Sequence, residues 1–312
     1  MSKAKQKTGI FKMTDEKYFA SPGLSQSFLK QFIVSPFHAL NQKPKVSKGL
    51  SKGTMIHNYL LDPKEFKKSY EVETEKKLEE IKAEYGKESK NIRLTKVYKD
   101  YVAGVQESGK SLINTTEMSE LKQIKKNFME FAENYEYDGY NFLELFEKSK
   151  KEYAIFGEAA GYLFRGKLDC FFIDDFAEKI YIFDLKTIGD WSKAERQVTE
   201  YKYYWQESVY KMLFSLNGYE NYEKHFVDIF IESVYPYFIF TVINGIDLIS
   251  WGQREIQEAI QMWRDYQDGT LKIKPYTTDT LNVNKPRWWE YEDLNDDKKK
   301  HIDLSGKPNE KS

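Results

Sequence analysis

In QSFLKQFIV the apolar residues Phe28, Leu29, Phe32 and Ile33 fall on one stripe of a helical period, and Ser25 just ahead of them is a suitable N-cap. Pro36 ends that helix or opens the next one. GTMIHNYLLD predicts a second helix from Gly53 that stops at Asp62-Pro63. From about Glu73 to Lys148 the spacing stays helical while the composition becomes highly charged, as in EKKLEEIKAEYGKE and MSELKQIKKNFMEFAENY, with breaks near Gly86 and between 107 and 115. Such segments read as solvated helices that pack one face on the core.

The pattern then changes. EYAIFGEAAGYLFRGKLDCFFIDDFAEKIYIFDLKT holds three apolar segments, near 152–156, 162–173 and 179–186, separated by Gly-rich or Asp-rich turns. That spacing predicts a three-stranded antiparallel meander. A helix through SVYKMLFSL runs to Asn217-Gly218, HFVDIFIESVYPYFIFTVI reads as strand, and 252–267 is an amphipathic helix. Together these elements predict an α/β (α+β) protein with a central mixed sheet flanked by helices.

At 312 residues, 40% hydrophobic and 16% aromatic, the chain can bury a sizeable core. The expected organisation is a mobile N-terminus over 1–13, a single domain over 14–294 with a helical insertion at about 73–148, and a mobile charged tail over 295–312. Lys and Arg number 48 against 49 Asp and Glu, so any nucleic-acid contact must come from a local patch and not from an overall basic field. Cys170 is the sole cysteine, which excludes a disulfide framework and a four-cysteine metal site. With no signal-peptide pattern and no long apolar run, the expectation is a soluble cytoplasmic protein with no membrane partner.

Candidate chemistry sits at the end of the third meander strand. In YIFDLKT, Asp184 and Lys186 share one strand face and Leu185 takes the other. A salt bridge at a strand end accounts for them; so does an Asp that holds a divalent metal beside a Lys that positions a water or steadies phosphoryl charge. Asp169, in FRGKLDCFF on the preceding strand, could lie beside Asp184 through an antiparallel pairing. Two carboxylates so close either take up a proton or gather a cation, and hard oxygen ligands select magnesium or manganese.

These segments resemble the PD-(D/E)XK nuclease superfamily, and within it the RecE-type phage exonucleases (exonuclease VIII), related to the RecB nuclease domain and lambda exonuclease. Four stretches carry the resemblance: YFASPGLSQSFLKQFIVSPFHAL, KGTMIHNYLLDPKEF, GKLD with DLKT, and YWQESVY. The resemblance implies metal ligands at His57, Asp169 and Asp184, with the carbonyl of Leu185 completing the shell, and Lys186 acting on the attacking water. Gln206 and Tyr210, one helical turn apart, would orient the site or touch DNA; ordinary helix packing also explains them. Glu152 matches a position where relatives keep an acid, expected behind the ligands. Arg165 and Lys167 suit a phosphate or a solvated strand edge, and Trp288-Trp289 suits base stacking or a subunit contact. Glu158, Asp174 and Asp175 are expected in turns.

By resemblance, the function is a magnesium-dependent, ATP-independent 5′ to 3′ exodeoxyribonuclease, with manganese able to substitute. It would resect ends of double-stranded DNA to give 3′ single strands for a RecT-like annealing protein, working as a trimeric or tetrameric ring of phage or prophage origin. Two alternatives stay open: a structure-specific or restriction-type endonuclease on the same fold, and a non-catalytic DNA-binding recombination accessory protein. No phosphate-binding G-x-x-x-x-G-K-[ST] loop and no G-x-S-x-G elbow occur, which argues against ATP hydrolysis and serine esterase chemistry.

Overall fold

The computed structural model describes residues 7–42, 52–86 and 91–276. The fold that follows is that of the compact unit over residues 1–272. The expected domain end at 294, Trp288, Trp289 and the tail from 295 lie outside the described residues.

The chain opens with β1 (Gly9–Lys12), α1 (Asp15–Ala20), β2 (Leu24–Ser25), α2 (Gln26–Val34) and α3 (Pro36–Asn41). The expectation of a mobile segment over 1–13 is corrected here: Gly9–Lys12 is an edge strand, antiparallel to the first meander strand from Gly9 opposite Phe156 to Lys12 opposite Tyr153. Its polar flanks masked a four-residue strand whose pairing partner lies far along the chain. Ser25 does cap α2, accepting from Phe28 N–H at 3.2 Å.

Next come α4 (Lys52–Leu61), α5 (Pro63–Ser69), β3 (Tyr70–Val72), α6 (Glu75–Tyr85), α7 (Lys96–Glu107), β4 (Ser111–Ile113) and α8 (Thr115–Asn134). They are followed by β5 (Glu136–Tyr137), β6 (Tyr140–Asn141) and α9 (Phe142–Lys148). Gly86 ends α6 in the left-handed conformation, and an Asn114–Glu117 capping box starts α8. The charged stretch is therefore mainly helical, though β3 pairs with β4 and β5 with β6. In α8, Leu121, Ile124, Phe128 and Ala132 recur at helical spacing and are fully buried, so this helix roofs one face of the central sheet.

The meander is β7 (Lys150–Ala159), β8 (Tyr162–Asp174) and β9 (Lys179–Ile188). After it come α10 (Ala194–Glu200), α11 (Tyr203–Phe214), β10 (Glu223–Glu232), β11 (Ile239–Val242) and α12 (Ile246–Gln267). The helix expected through SVYKMLFSL begins earlier, at Tyr203, and the run after His225 divides into β10 and β11. Along the sheet the order is β1-β7-β8-β9-β10-β11, with β10 parallel to β9 and the other neighbours on that path antiparallel. The expected central mixed sheet flanked by helices is what the chain forms.

Strand alternation decides which layer each side chain joins. On β9 and β10, Tyr181, Phe183, Leu185, Val227, Ile229 and Ile231 pack under α4, α8 and α9. Ile180, Ile182, Phe226 and Phe230 pack against α11 and its neighbours, including the fully buried Trp205 and Leu213. Asp184, Lys186 and Asp228 share the parity of this second set, so they point into a largely apolar layer toward α11.

Candidate active site

β8 and β9 pair from Asp174 opposite Lys179 as far as Cys170 opposite Phe183, and there the ladder stops although both strands continue. Asp169 and Asp184 are the next residues on each side of this split. Instead of lying side by side, they turn different ways: an Asp169 oxygen accepts from the Leu185 N–H at 2.8 Å, while Asp184 faces α11. N–H and C=O of one strand residue point to the same side, so the Leu185 carbonyl also faces the split.

The opposite side of β8 is interrupted too. Its ladder with β7 runs through Lys151–Cys170 and Tyr153–Leu168 but skips Glu152 and Asp169. Glu152 has φ of 59°, a left-handed conformation that a non-glycine residue adopts only under constraint, and its side chain is buried. This break aims Glu152 at Asp169 from below.

α4 brings the third member. A Cβ on Gly53 would come within 2.6 Å of Thr187 Oγ1, so glycine allows the helix start to sit directly on the end of β9. One turn later His57 lies between the two acids, Nε2 2.9 Å from Asp169 Oδ2 and Nδ1 3.2 Å from Glu152 Oε1. His57, Glu152 and Asp169 each offer a ligand atom within 4.8 Å of one another. A cleft of about 370 Å³ lined by His57, Asn58, Lys167, Leu185 and Thr187 opens beside them.

Burial works against a charge on the His57 ring, yet Asp169 and then Glu152 outweigh it and raise its pKa to about 9. Burial likewise disfavours ionised Asp169, but His57 holds that carboxyl below the usual range. Glu152 is pushed up by burial, with His57 offsetting part of the effect. Lys167 ion-pairs with both Glu152 and Asp15. Glu152 Oε1 is buried, with His57 Nδ1 as its close partner. Two carboxylates, one imidazole and a backbone carbonyl facing the same split make a donor set that fits a divalent cation of the magnesium or manganese kind.

On the α11 side stands a hydrogen-bonded chain. Lys186 Nζ donates to an Asp184 oxygen and to Gln206 Oε1 at 2.7 Å; Gln206 Nε2 donates to the other Asp184 oxygen and lies 3.0 Å from the Tyr210 hydroxyl. Tyr210 in turn donates to the Lys167 carbonyl on β8. Its ring packs where Gly166 has no side chain: a Cβ there would fall 2.6 Å from the ring. Burial and then the nearby Asp169 push the Asp184 carboxyl up, whereas Lys186, despite burial, is held above its usual range by Asp184 and Asp228.

The expected residues thus fall into two groups. His57 and Asp169 join Glu152, which was expected only behind the ligands, while Asp184, Lys186, Gln206 and Tyr210 form the adjoining chain. Glu152 was masked by its place at a strand start, where acids are unremarkable. Asp228 escaped notice altogether: in HFVDIF it is one polar residue in an apolar strand, the signal that a buried carboxylate leaves. Arg165 is engaged elsewhere, donating to the carbonyls of Tyr18 and Ser21 at the end of α1. Asp174 caps the β8–β9 turn, accepting from Phe176 and Ala177 N–H at 3.0 Å.

A family model for a PDDEXK-like domain of unknown function, DUF3799, matches residues 25–275. Among solved structures, a candidate exonuclease from Eubacterium rectale superposes over 88% of this chain and 96% of its own, with a TM-score of 0.52 at 14% identity, a likeness of fold. A structure named SSO0001 aligns over 75% of this chain and 84% of its own at 11% identity, with a TM-score of 0.26, too low to carry an argument. No curated protein matches the chain.

Proposed function

Since the chain belongs to the PDDEXK-like family DUF3799, we propose that it is a magnesium-dependent, ATP-independent exodeoxyribonuclease that degrades one strand of linear duplex DNA from its 5′ ends. Family and fold support a nuclease; polarity and duplex preference rest on the likeness of its motifs to the RecE-type exonucleases. The observation that carries the reading is the His57, Glu152, Asp169 cluster at the β8–β9 split, next to the buried Asp184–Lys186 pair.

A divalent cation held by His57, Glu152 and Asp169, with Asp184 and the Leu185 carbonyl alongside, would lower the pKa of a water and neutralise the scissile phosphate. Lys186 supplies a permanently charged donor for the attacking water or the phosphoryl oxygens. Gln206 bridges that ammonium and the Asp184 carboxylate, accepting from one and donating to the other. Tyr210 ties α11 to β8 and so links the two groups of residues. Lys167, already paired with Glu152 at the mouth of the cleft, keeps a positive charge where the DNA backbone would pass.

In this reading the product is a 3′ single strand for a RecT-like annealing protein, and three or four copies enclose the duplex in a ring, the setting being a phage or prophage. Manganese should replace magnesium, because imidazole is a softer ligand than magnesium usually takes.

The test is digestion of 5′-labelled linear duplex beside a closed circle of the same sequence, with magnesium and without ATP, for wild type and Asp184→Ala. Early release of the 5′ label from linear DNA alone, abolished by the substitution, supports the exonuclease. Cutting of the circle moves the protein to the endonuclease reading, and absence of metal-dependent cutting of either leaves a DNA-binding accessory role.

A further inference from the structure

Asp228 is 0% exposed, and neither of its oxygens takes a hydrogen bond from the described residues. Burying a carboxylate without donors is costly, and each such group in a native fold asks for a reason. Across the parallel ladder its register partner is Asp184. Among the described residues the cation close to it is Lys186, whose Nζ lies 3.7 Å from Asp228 Oδ1; Glu207, Asp169 and Lys30 act from farther away.

Asp184 has the opposite situation. Lys186 holds one of its oxygens and Gln206 the other, so both donors compete with a cation for it. If Asp184 is to turn an oxygen toward the His57 side of the split, the Lys186 ammonium must leave it, and a buried ammonium without an anion is as costly as the carboxylate.

We propose that Asp228 is a positioning residue that takes over the Lys186 ammonium when Asp184 turns toward a bound divalent cation. The proposal rests on the metal-dependent nuclease reading. Nζ has only a short way to go: closing 3.7 Å to a charge-assisted contact of about 2.8 Å is a shift of roughly 1 Å, well within the reach of a four-carbon stem. Throughout that shift the ammonium stays beside Tyr203, whose ring centroid is 4.3 Å away, and Gln206 Oε1 remains at hand. Asp228 thereby stabilises the same lysine in two places, which accounts for a carboxylate that has no donor of its own in the first.

Without Asp228, Lys186 keeps Asp184 as its sole close anion and competes with the cation for it. The test is calorimetric titration of Mn²⁺ into metal-stripped wild type, Asp228→Asn, Lys186→Met and the double variant. Asp228→Asn should weaken Mn²⁺ by roughly tenfold or more, the size expected of a residue behind a metal ligand. In the Lys186→Met background the same change should cost about twofold or less, the scatter of uncoupled sites. Unchanged affinity in Asp228→Asn, or an equal loss in both backgrounds, overturns the proposal. Wild type that takes up no Mn²⁺ overturns the nuclease reading along with it. Should Asp228→Asn fail to fold, crystal structures of wild type with chelator and with Mn²⁺ decide: Nζ on Asp228 in the loaded form supports the transfer, and Nζ still on Asp184 refutes it.

Discussion

At the scale of single residues, the site is a set of charges that burial would forbid if each stood alone. His57 is held protonated by its two acids, so the metal-free protein binds a proton there that the unfolded chain gives up near pH 6.5. Because the folded pKa is the higher one, this contribution is fully present below about pH 6.5 and fades as pH rises through about 9. In chelator, the melting temperature should therefore fall between those values, and His57→Gln should flatten the fall. The raised Asp184 carboxyl acts in the same direction. Mn²⁺ affinity should run the other way, rising with pH over the same window, since the imidazole proton must leave first. Lys186→Met should lower the cleavage rate by about 10²–10³-fold while DNA binding changes little, as for the loss of one electrostatic donor; initial rates against a binding isotherm separate the two.

At the scale of elements, close approach positions the chemistry. α4 can carry His57 over the split because Gly53 lets it lie on Thr187, and α11 can bring Gln206 to Asp184 because Gly166 leaves room for the Tyr210 ring. Gly166→Ala should destabilise the fold by about 1–3 kcal/mol through overpacking, read by chemical denaturation, and should also slow cleavage by pushing α11 outward. Gly53→Ala should weaken Mn²⁺ binding more than it lowers stability, because helix propensity partly offsets the clash; calorimetry and thermal melts on the same preparation test the difference. α8 and α9 have a simpler role, closing the core under β9 and β10, as the Phe142 ring shows 4.8 Å from that of Phe183. That much of the charged stretch is core in disguise: its buried residues are few per turn but recur at the right spacing.

At the scale of the whole molecule, no described helix is long and apolar enough to cross a membrane, and the formal charge is only -1. If the chain holds DNA as proposed, this charge requires its basic side chains to be gathered locally. If it acts as a ring, light scattering at micromolar protein should give a mass of three or four times 37.0 kDa, and a monomer would count against processive action.

The amino-acid sequence by itself determined the parts of the protein that depend on neighbours along the chain. Period-two alternation marked β7, β8 and β9 and put Asp184 and Lys186 on one face, and a one-turn spacing set Gln206 above Tyr210. Tertiary structure alone decided what needs residues far apart to meet. It made Gly9–Lys12 a strand by giving it β7 as a partner, ended the β8–β9 ladder at Cys170 and drew His57 down between two acids. It also moved Glu152 into the candidate metal-binding cluster by a left-handed turn and left Asp228 facing Lys186 across a parallel ladder. The physical reason is the same in each case: periodicity reports which side of an element is apolar, whereas a cluster of charges is stable only once distant elements close around it and supply its counter-charges.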